Sequence, residues 1–320
     1  MKASFSSLAL IAAVASAQER CDSQYPNVYC NTTEVLAFES YDCKPFHIFL
    51  ARGSDEPYPG RQGNLTRQIC SRLGGADQCG YENIEYPAKS TAWGKDEWCK
   101  SAAQGASNGQ AQFEGYAQNC PNSKLILLGY SQGASVAQDI LGGGGGQVFE
   151  CSQAPNPQLD AKVGEQVVAA VTFGAVARSK NQNFTVGDGK PYDGTRPRTT
   201  GQLANLSKYS DRLQDYCHFG DPICAIGSTP QDLDAHLNYF VLHNKEVIDW
   251  VVQKAETPNV SSETSNIKPS ESQQGSTPRP TTAAPAQDGN AIQTGAASSI
   301  TSAGLAPMMV LFGTLVIFTL

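Results

Sequence analysis

The segment 125–137, LILLGYSQGASVA, constrains the fold more than any other part of the chain. Four aliphatic residues run directly into Gly129, and a helix-compatible Ala-Ser-Val-Ala follows Gly133. This order predicts a strand, a sharp turn and a helix, with the two glycines leaving room where β-carbons would collide. Such a turn would present the hydroxyl of Ser131 above the carboxyl edge of a sheet. The pattern predicts a nucleophile elbow, and a structural serine in a tight turn is the alternative.

Apolar runs and helical patterns alternate over residues 20–253. Strands are predicted at 46–50, 84–87, 125–128 and 167–176, and helices at 65–73, 96–118, 134–141 and 237–252. Continuous apolar strands separated by helices favour a parallel sheet that is covered on both faces. We therefore predict one α/β domain, a three-layer α/β/α sandwich, within residues 18–253.

The beginning of the chain resembles a secretory signal. Lys2, an apolar core at residues 8–14 and Ala-Ser-Ala at 15–17 predict a signal peptide over residues 1–17. The mature protein would then begin at Gln18.

The end of the chain resembles an anchoring signal. Residues 254–294 are rich in Ser, Thr, Pro and Gln, which predicts a disordered, O-glycosylated stalk. Small residues followed by a polar spacer and an apolar tail are typical of a GPI-attachment signal, here residues 295–320. Gly295 is preferred to Asn290 as the attachment site. The alternative is a membrane helix, although the 16 apolar residues at 305–320 are short for a span of about 20.

Cysteine and sequon counts agree with export. Ten cysteines in an exported chain predict a disulfide framework. The candidate N-glycosylation sites are Asn31, Asn64, Asn183, Asn205 and Asn259. These features predict an extracellular domain that a GPI anchor holds at the plasma membrane or cell wall.

Charge and motifs argue against several classes of partner. The formal net charge is -7, so no basic field is available to attract nucleic acid. The glycine run at 142–146 is not followed by the Gly-Lys-Ser/Thr of a phosphate-binding loop. We expect no metal and no organic cofactor, and a monomer.

A serine hydroxyl needs a general base to become a good nucleophile, and the chain contains four histidines. In α/β-hydrolases the acid and then the histidine follow the serine in the chain. His47 precedes Ser131 and lies in a predicted strand, and no suitable acid-bearing loop separates His218 from Ser131. His243 lies inside the last predicted helix, where a surface role is expected. His236 begins that helix after a Gly/Ser/Pro loop and is the candidate base.

The acid should lie between the serine and the base. Asp221 is bracketed by Cys217 and Cys224, and a disulfide between them would hold its loop still. Asp232 and Asp234 are rivals, but they are close to the base in sequence and could cap its helix instead. Asp221 is therefore the candidate acid.

A tetrahedral intermediate also needs hydrogen-bond donors for its oxyanion. The backbone N–H of Gln132, directly after the serine, is one candidate. Ser54, in the loop after the first core strand, could offer both an N–H and a hydroxyl.

Four motifs occur in order along residues 40–253: FLARGS at 49–54, GYSQG at 129–133, CHFGDPIC at 217–224 and DAH at 234–236. Together they closely resemble the fungal cutinase family, which also includes acetylxylan esterases. The resemblance implies a small, lidless α/β-hydrolase with a five-stranded parallel sheet and an exposed triad. It implies Ser131 as nucleophile, Asp221 as acid and His236 as base, with Ser54 and Gln132 in the oxyanion hole.

The resemblance also implies disulfides. It suggests Cys43–Cys120, Cys217–Cys224 and Cys70–Cys79, and it leaves Cys21–Cys30 and Cys99–Cys151 as the remaining pairs. The chain departs from the simplest members in its ten cysteines, its longer stretch between residues 176 and 217, its stalk and its anchor.

The resemblance implies a serine esterase that hydrolyses a cutin-like polyester or short acyl esters through an acyl-enzyme on Ser131. Arg-Gly-Ser at 52–54 favours cutinases, whereas the extra cysteines favour an acetylxylan esterase. A catalytically retired wall or adhesion protein is a further alternative, and residues 181–210 are long enough to hold a lipase-like lid.

Overall fold

The computed structural model describes residues 32–257. Its strands are β1 (Phe46–Ala51), β2 (Cys79–Asn83), β3 (Lys124–Tyr130), β4 (Gly146–Val148), β5 (Cys151–Gln153), β6 (Val167–Phe173), β7 (Thr185–Val186) and β8 (Leu213–Tyr216). Six of them form a wholly parallel sheet in the order β2-β1-β3-β6-β8-β7. Strands β4 and β5 form a separate antiparallel pair.

Helices cover both faces of this sheet. They are α1 (Thr33–Leu36), α2 (Gly63–Arg72), α3 (Lys95–Asn119), α4 (Gln132–Gly142), α5 (Ala161–Gln166), α6 (Thr200–Leu206), α7 (Leu233–Leu237), α8 (Tyr239–Leu242) and α9 (Asn244–Glu256). Because side chains alternate along a strand, Leu125 and Leu127 of β3 pack with α3 and α4, whereas Ile126 and Leu128 pack with α2 and α9. The predicted three-layer α/β sandwich is confirmed.

The sheet differs from the expectation at its two edges. It has six strands instead of five, because the two-residue strand β7 pairs with β8. The strand expected at residues 84–87 lies instead at β2, whose sequence Cys-Gly-Tyr-Glu-Asn is buried throughout. Apolar content alone could not identify a buried strand that carries Glu82 and Asn83.

The single helix expected over residues 237–252 is interrupted twice. The backbone leaves helical geometry at Asn238, where φ and ψ are -100° and 10°, and a new helix begins after His243, where they are -113° and -7°. His236 therefore lies in the short helix α7, which the side chain of Asp232 caps through Asp234 N–H at 3.0 Å.

The segment in which a lid could have been hidden is bound to the domain. Strand β7 pairs with β8, and the buried guanidinium of Arg178 donates to the carbonyl oxygens of Gly189 and Tyr192 at 3.2 and 2.7 Å. Ser131 remains partly exposed.

Four disulfides link the described residues: Cys43–Cys120, Cys70–Cys79, Cys99–Cys151 and Cys217–Cys224. These are four of the five pairs considered above. The fifth pair, Cys21–Cys30, lies outside the described residues. So do the signal peptide, Asn31 and Asn259, and the anchor with Gly295 and Asn290. The predicted stalk lies outside the described residues from residue 258 onwards, whereas residues 254–256, which were assigned to it, instead end helix α9. Within residues 32–257, no helix has both the length and the apolar character that a membrane crossing requires.

The three described sequons differ in accessibility. Asn64 lies in α2 with 7% of its surface exposed, and its Oδ1 accepts from Arg67 at 2.8 Å. Asn205 is half-buried, and its amide donates to the carbonyl oxygen of Gly142 at 3.1 Å. Asn183 is exposed.

The strand order reverses direction between β1 and β3, since β2 lies to one side of β1 and β6 lies beyond β3. In open parallel sheets, ligands bind at such a point, outside the carboxyl ends of the strands. Ser54 follows β1 and Ser131 follows β3. The topology therefore brings both predicted site serines to one crevice.

Candidate active site

Ser131 occupies a strained turn between β3 and α4. Its φ and ψ are 55° and -118°, a conformation that an L-residue rarely adopts. A β-carbon at Gly129 would lie 2.6 Å from the carbonyl oxygen of Gly133, and one at Gly133 would lie 2.0 Å from that of Ala51. Only glycine fits at either position, as the sequence pattern predicts. The Ser131 N–H donates to the Phe173 carbonyl at 2.8 Å, which fixes the turn against β6.

His236 lies between Ser131 and Asp221. Its Nε2 is 3.0 Å from Ser131 Oγ, and its Nδ1 is 2.8 Å from Asp221 Oδ2. Because a carboxylate can only accept, Nδ1 carries hydrogen and Nε2 presents its lone pair to the serine hydroxyl. The three side chains that the sequence singled out thus form one hydrogen-bonded row.

Asp221 is completely buried, yet four donors satisfy its carboxylate. Oδ1 accepts from the N–H groups of Ile223 and Cys224 at 2.7 and 3.2 Å, and Oδ2 accepts from His236 and the Tyr239 hydroxyl at 2.8 and 2.6 Å. Burial by itself raises the pKa of Asp221, but the charge of His236 and these hydrogen bonds outweigh burial and hold the pKa below its usual range. The group is a carboxylate at neutral pH.

The other histidines do not contact Ser131 in this structure. His47 is buried in β1 and stacks on Tyr116 at a centroid distance of 3.8 Å, and burial lowers its pKa to about 3. His218 and His243 contact each other, with 2.6 Å between their Nε2 atoms. His243 is therefore not a plain surface residue: it is half-buried against His218 and Tyr216.

The loop that carries Ser54 is rigidly held by a residue that sequence reasoning missed. Glu56 is buried, and its Oε2 accepts from the Gly53 N–H at 2.9 Å while its Oε1 pairs with Arg61 Nε at 2.8 Å. Burial raises the pKa of Glu56, although Arg61 and the backbone donors act in the opposite direction. The Arg52 guanidinium donates to the Glu56 carbonyl at 2.6 Å. The proximity of Arg52, Glu56 and Arg61 in sequence was the available signal.

Gln132 is fully buried and opens helix α4. Its side chain is occupied, because Oε1 accepts from Ser101 Oγ at 3.2 Å and Nε2 donates to the Lys89 carbonyl at 2.9 Å. Its backbone N–H belongs to the first helical turn and has no carbonyl four residues earlier within α4. That N–H lies at the positive end of the helix dipole, which suits an anion.

Exposed side chains lie beside two loops that carry predicted site residues, and the group around Trp93 is called a rim below. Trp93 is 64% exposed, and its indole N–H donates to Asp55 Oδ1 at 2.9 Å, directly after Ser54. The Lys89 ammonium lies 5.7 Å from the Trp93 ring centroid. Near Asp221, the exposed apolar side chains are Phe219 and Ile226.

No three His, Cys, Asp or Glu side chains within residues 32–257 gather in a way that could hold a metal ion. The side chains that the structure brings together at the site are those of Ser131, His236 and Asp221.

Comparison with known proteins gives a consistent family. The family model described as cutinase matches residues 42–255. Cutinase 11 of Verticillium dahliae is 26% identical over 219 residues, which cover 68% of this chain and 70% of that protein. The acetylxylan esterase of Hypocrea jecorina is 25% identical over 256 residues, covering 75% of this chain and 78% of that protein. The catalytic core domain of the Trichoderma reesei acetyl xylan esterase superposes with a TM-score of 0.56 at 24% identity, covering 67% of this chain and all of that domain.

Proposed function

The chain belongs to the cutinase family and is a carboxylic ester hydrolase, and on that premise we propose that it is a serine esterase with Ser131 as its nucleophile. The observation that carries the proposal is the position of His236, 3.0 Å from Ser131 Oγ and 2.8 Å from Asp221 Oδ2. This is the distance at which a general base can take the hydroxyl proton.

In the first half-reaction, Ser131 Oγ attacks the ester carbonyl carbon while His236 Nε2 takes the proton. Asp221 stabilises the resulting imidazolium. The N–H of Gln132 and the N–H and hydroxyl of Ser54 donate to the oxyanion of the tetrahedral intermediate. When the intermediate collapses, the bond to the alcohol oxygen breaks and His236 returns the proton to that oxygen. The product is an acyl-enzyme and a free alcohol.

In the second half-reaction, water replaces the alcohol. The water oxygen attacks the acyl carbon while His236 takes a proton from the water. His236 then gives this proton to Ser131 Oγ as the bond between Oγ and the acyl carbon breaks and the acid leaves. The strained backbone of Ser131 supports this role, because such conformations are retained where the surrounding structure holds a functional group in place.

A p-nitrophenyl ester series from acetate to palmitate tests the proposal, with the full chain produced through a secretory host and its Ser131→Ala variant. We expect turnover by the parent and loss of at least about 10³-fold in the variant. A maximum at butyrate or longer would support a cutin-like polyester as substrate. Turnover confined to acetate would support a carbohydrate acetyl ester, and retained activity in the variant would remove Ser131 from the mechanism.

A second candidate, deacetylation of plant-wall xylan, is favoured by the rim around Trp93. Charged side chains surround this exposed indole: Asp55 bonds its N–H, Lys89 lies over its ring, and Glu97 pairs with Lys89 at 2.6 Å. A polyhydroxylated ring can lie on an indole face and still hydrogen-bond to such neighbours, whereas an alkyl chain would leave them without new partners. The acetylxylan esterase relative supports the same substrate class.

Trp93→Ala tests this candidate. We expect slower release of acetate from acetylated xylan, by about 10-fold, with little change on p-nitrophenyl acetate, which has no sugar ring. Tyr41→Ala is the matched control, because Tyr41 is 65% exposed and lies outside the site loops. Equal rates on xylan for parent and Trp93→Ala would remove the candidate.

We further propose that residues 1–17 direct secretion and that the signal at 295–320 is removed in exchange for a GPI anchor, which tethers the domain through the stalk. Removal of the residues after Asn290 should release active esterase into the medium, and a GPI-specific phospholipase should release the parent from membranes. Retention of the truncated protein would contradict the anchor.

Absence of turnover by a folded parent would favour the alternative that the chain is a catalytically retired adhesion protein.

A further inference from the structure

We propose that Tyr239 is a positioning residue of the esterase centre, whose hydroxyl holds the Asp221 carboxylate against His236 and shares its negative charge. This inference rests on the proposed serine esterase function. The hydroxyl lies 2.6 Å from Asp221 Oδ2, the same oxygen that accepts from His236 Nδ1 at 2.8 Å. Asp221 Oδ2 thus accepts hydrogen bonds from two donors.

The direction of the Tyr239 hydrogen bond is fixed by its surroundings. The backbone N–H of His218 donates to the Tyr239 oxygen at 3.1 Å. The hydroxyl hydrogen is directed to Asp221, which can only accept, because the other nearby acceptor, the disulfide sulfur of Cys224 at 3.3 Å, is a much weaker one than a carboxylate. Burial raises the pKa of Tyr239 well above its usual value, and the charge of Asp221 adds to this effect. The hydroxyl therefore keeps its proton and remains a donor.

The ring of Tyr239 is fixed as firmly as its hydroxyl. Tyr239 is fully buried, and it stacks on the His218 ring with 4.1 Å between centroids and 16° between planes. His218 is held in turn, with Nδ1 at 2.7 Å from the Ala235 carbonyl and Nε2 at 2.6 Å from His243 Nε2. His218 and His243, which the mechanism does not use, therefore support the tyrosine.

This arrangement affects how strongly Asp221 stabilises a protonated His236. A charge-assisted hydrogen bond from Tyr239 draws negative charge towards the hydroxyl. Without it, more of the charge acts on His236, and the imidazolium form is favoured. The acid limb of kcat/KM, which reports protonation of the base in the free enzyme, should then move to higher pH. A tyrosine that only filled space would have no such effect.

Other titratable groups face the same region. Around Tyr239 these are Asp221, His218, His243 and His236, with Tyr130 at a ring distance of 6.5 Å. The buried carboxyl of Glu56 also acts electrostatically on His236. Removing only the Tyr239 hydroxyl leaves each of these side chains in place, so a shift of the limb can be assigned to the lost hydrogen bond.

Tyr239→Phe is the test, with kcat and KM for p-nitrophenyl butyrate measured from pH 4 to 9. We expect the acid limb to rise by about 0.5 to 1 pH unit and kcat to fall about 10-fold, with KM changed by less than about two-fold. Tyr130→Phe is the control: its hydroxyl donates to the His236 carbonyl at 3.0 Å and not to Asp221. That variant removes a buried hydroxyl beside the same histidine and should leave the limb in place.

An unmoved limb in Tyr239→Phe, or an equal movement in Tyr130→Phe, would overturn the proposal. Ser131→Ala separates this failure from failure of the proposed function, because an active Ser131→Ala variant would refute the serine mechanism itself. If Tyr239→Phe does not fold, 3-fluorotyrosine inserted at position 239 replaces it. The more acidic phenol donates more strongly to Asp221, so the limb should fall, and an unchanged or raised limb would again overturn the proposal.

Discussion

Asp139 and Arg198 form an ion pair of 2.7 Å in which both side chains are completely inaccessible to solvent. Arg198 also donates to Gln138 Oε1 at 2.8 Å and to the Ser135 carbonyl at 3.2 Å. All three of its partners lie on α4, the helix that begins immediately after Ser131. The helix that presents the serine is therefore held by a buried charge network.

Arg198→Met should destabilise the fold strongly, because Asp139 would keep a buried charge without its cation. Loss of one partner from a buried pair typically lowers the free energy of unfolding by about 3 to 5 kcal/mol. Urea unfolding of the parent and the variant measures the change. Arg72→Met is the control, since the Arg72–Asp249 pair, at 3.0 Å, is exposed, and its loss should have a much smaller effect. Similar losses in both variants would show that burial is not the cause.

Asp221→Asn should reduce kcat by about 10³- to 10⁴-fold with little change in KM. The amide cannot stabilise the imidazolium and favours the wrong tautomer of His236. Asp234→Asn is the matched control, because Asp234 is an exposed aspartate two residues before His236. We expect that variant to stay within about two-fold of the parent. A large loss of kcat in Asp234→Asn together with a small loss in Asp221→Asn would identify Asp234, and not Asp221, as the acid of the triad.

His47→Phe should improve stability at acid pH relative to the parent. Burial lowers the pKa of His47 to about 3. Between that value and the ordinary pKa of histidine, His47 is protonated only in the unfolded chain, so the free energy of unfolding decreases as the pH is lowered. Glu82 lies 4.0 Å away, but burial raises its pKa to about 7, so it gives a protonated His47 little support at pH 5. Phenylalanine fits a ring that already stacks on Tyr116.

The size of this stability change follows from the pH range over which only the unfolded chain binds a proton at His47. Between pH 7 and pH 5, the difference in unfolding free energy between His47→Phe and the parent should shift by about 2 kcal/mol in favour of the variant. Urea titrations at pH 7 and pH 5 give both differences. A constant difference would mean that His47 does not titrate in this way.

Among the described sequons, Asn183 should carry glycan and the other two should not. Its side chain is exposed, whereas the Asn64 side chain is buried and bonded to Arg67 and the Asn205 amide is bonded to the Gly142 carbonyl. Asn183→Gln should therefore lower the mass of the secreted protein by one N-glycan. Asn64→Gln and Asn205→Gln should leave it unchanged, and a mass loss in either would contradict the assignment.

The parts of the site that could be predicted from sequence are those with local determinants. Gly129 and Gly133 flank Ser131 within one short motif, although a β-carbon at Gly133 would meet the distant Ala51 carbonyl. The short list of histidines led to His236. Tyr239, Glu56 and Arg198 could not be found in this way, because each acts through partners that only the folded chain brings close. Tyr239 lay within the helix expected over residues 237–252, and no sequence pattern distinguished it.

The errors in the predicted fold have similar physical causes. Strand β2 carries Glu82 and Asn83 in a buried position at the sheet edge, so its polarity concealed it. The expected helix is also interrupted at His243, the residue whose ring contacts His218. The periodic spacing of apolar residues indicates a helical face, but it contains no information about a contact between two side chains that are distant in sequence.

Covalent labelling tests the central claim most directly. The parent, Ser131→Ala and His236→Gln would be treated with a p-nitrophenyl alkylphosphonate and analysed by intact and peptide mass spectrometry. The proposed mechanism predicts one phosphonyl group per parent chain, located on Ser131, no label in Ser131→Ala and greatly slowed labelling in His236→Gln. Stoichiometric label on any other residue, or labelling of Ser131→Ala at the parent's rate, would contradict it.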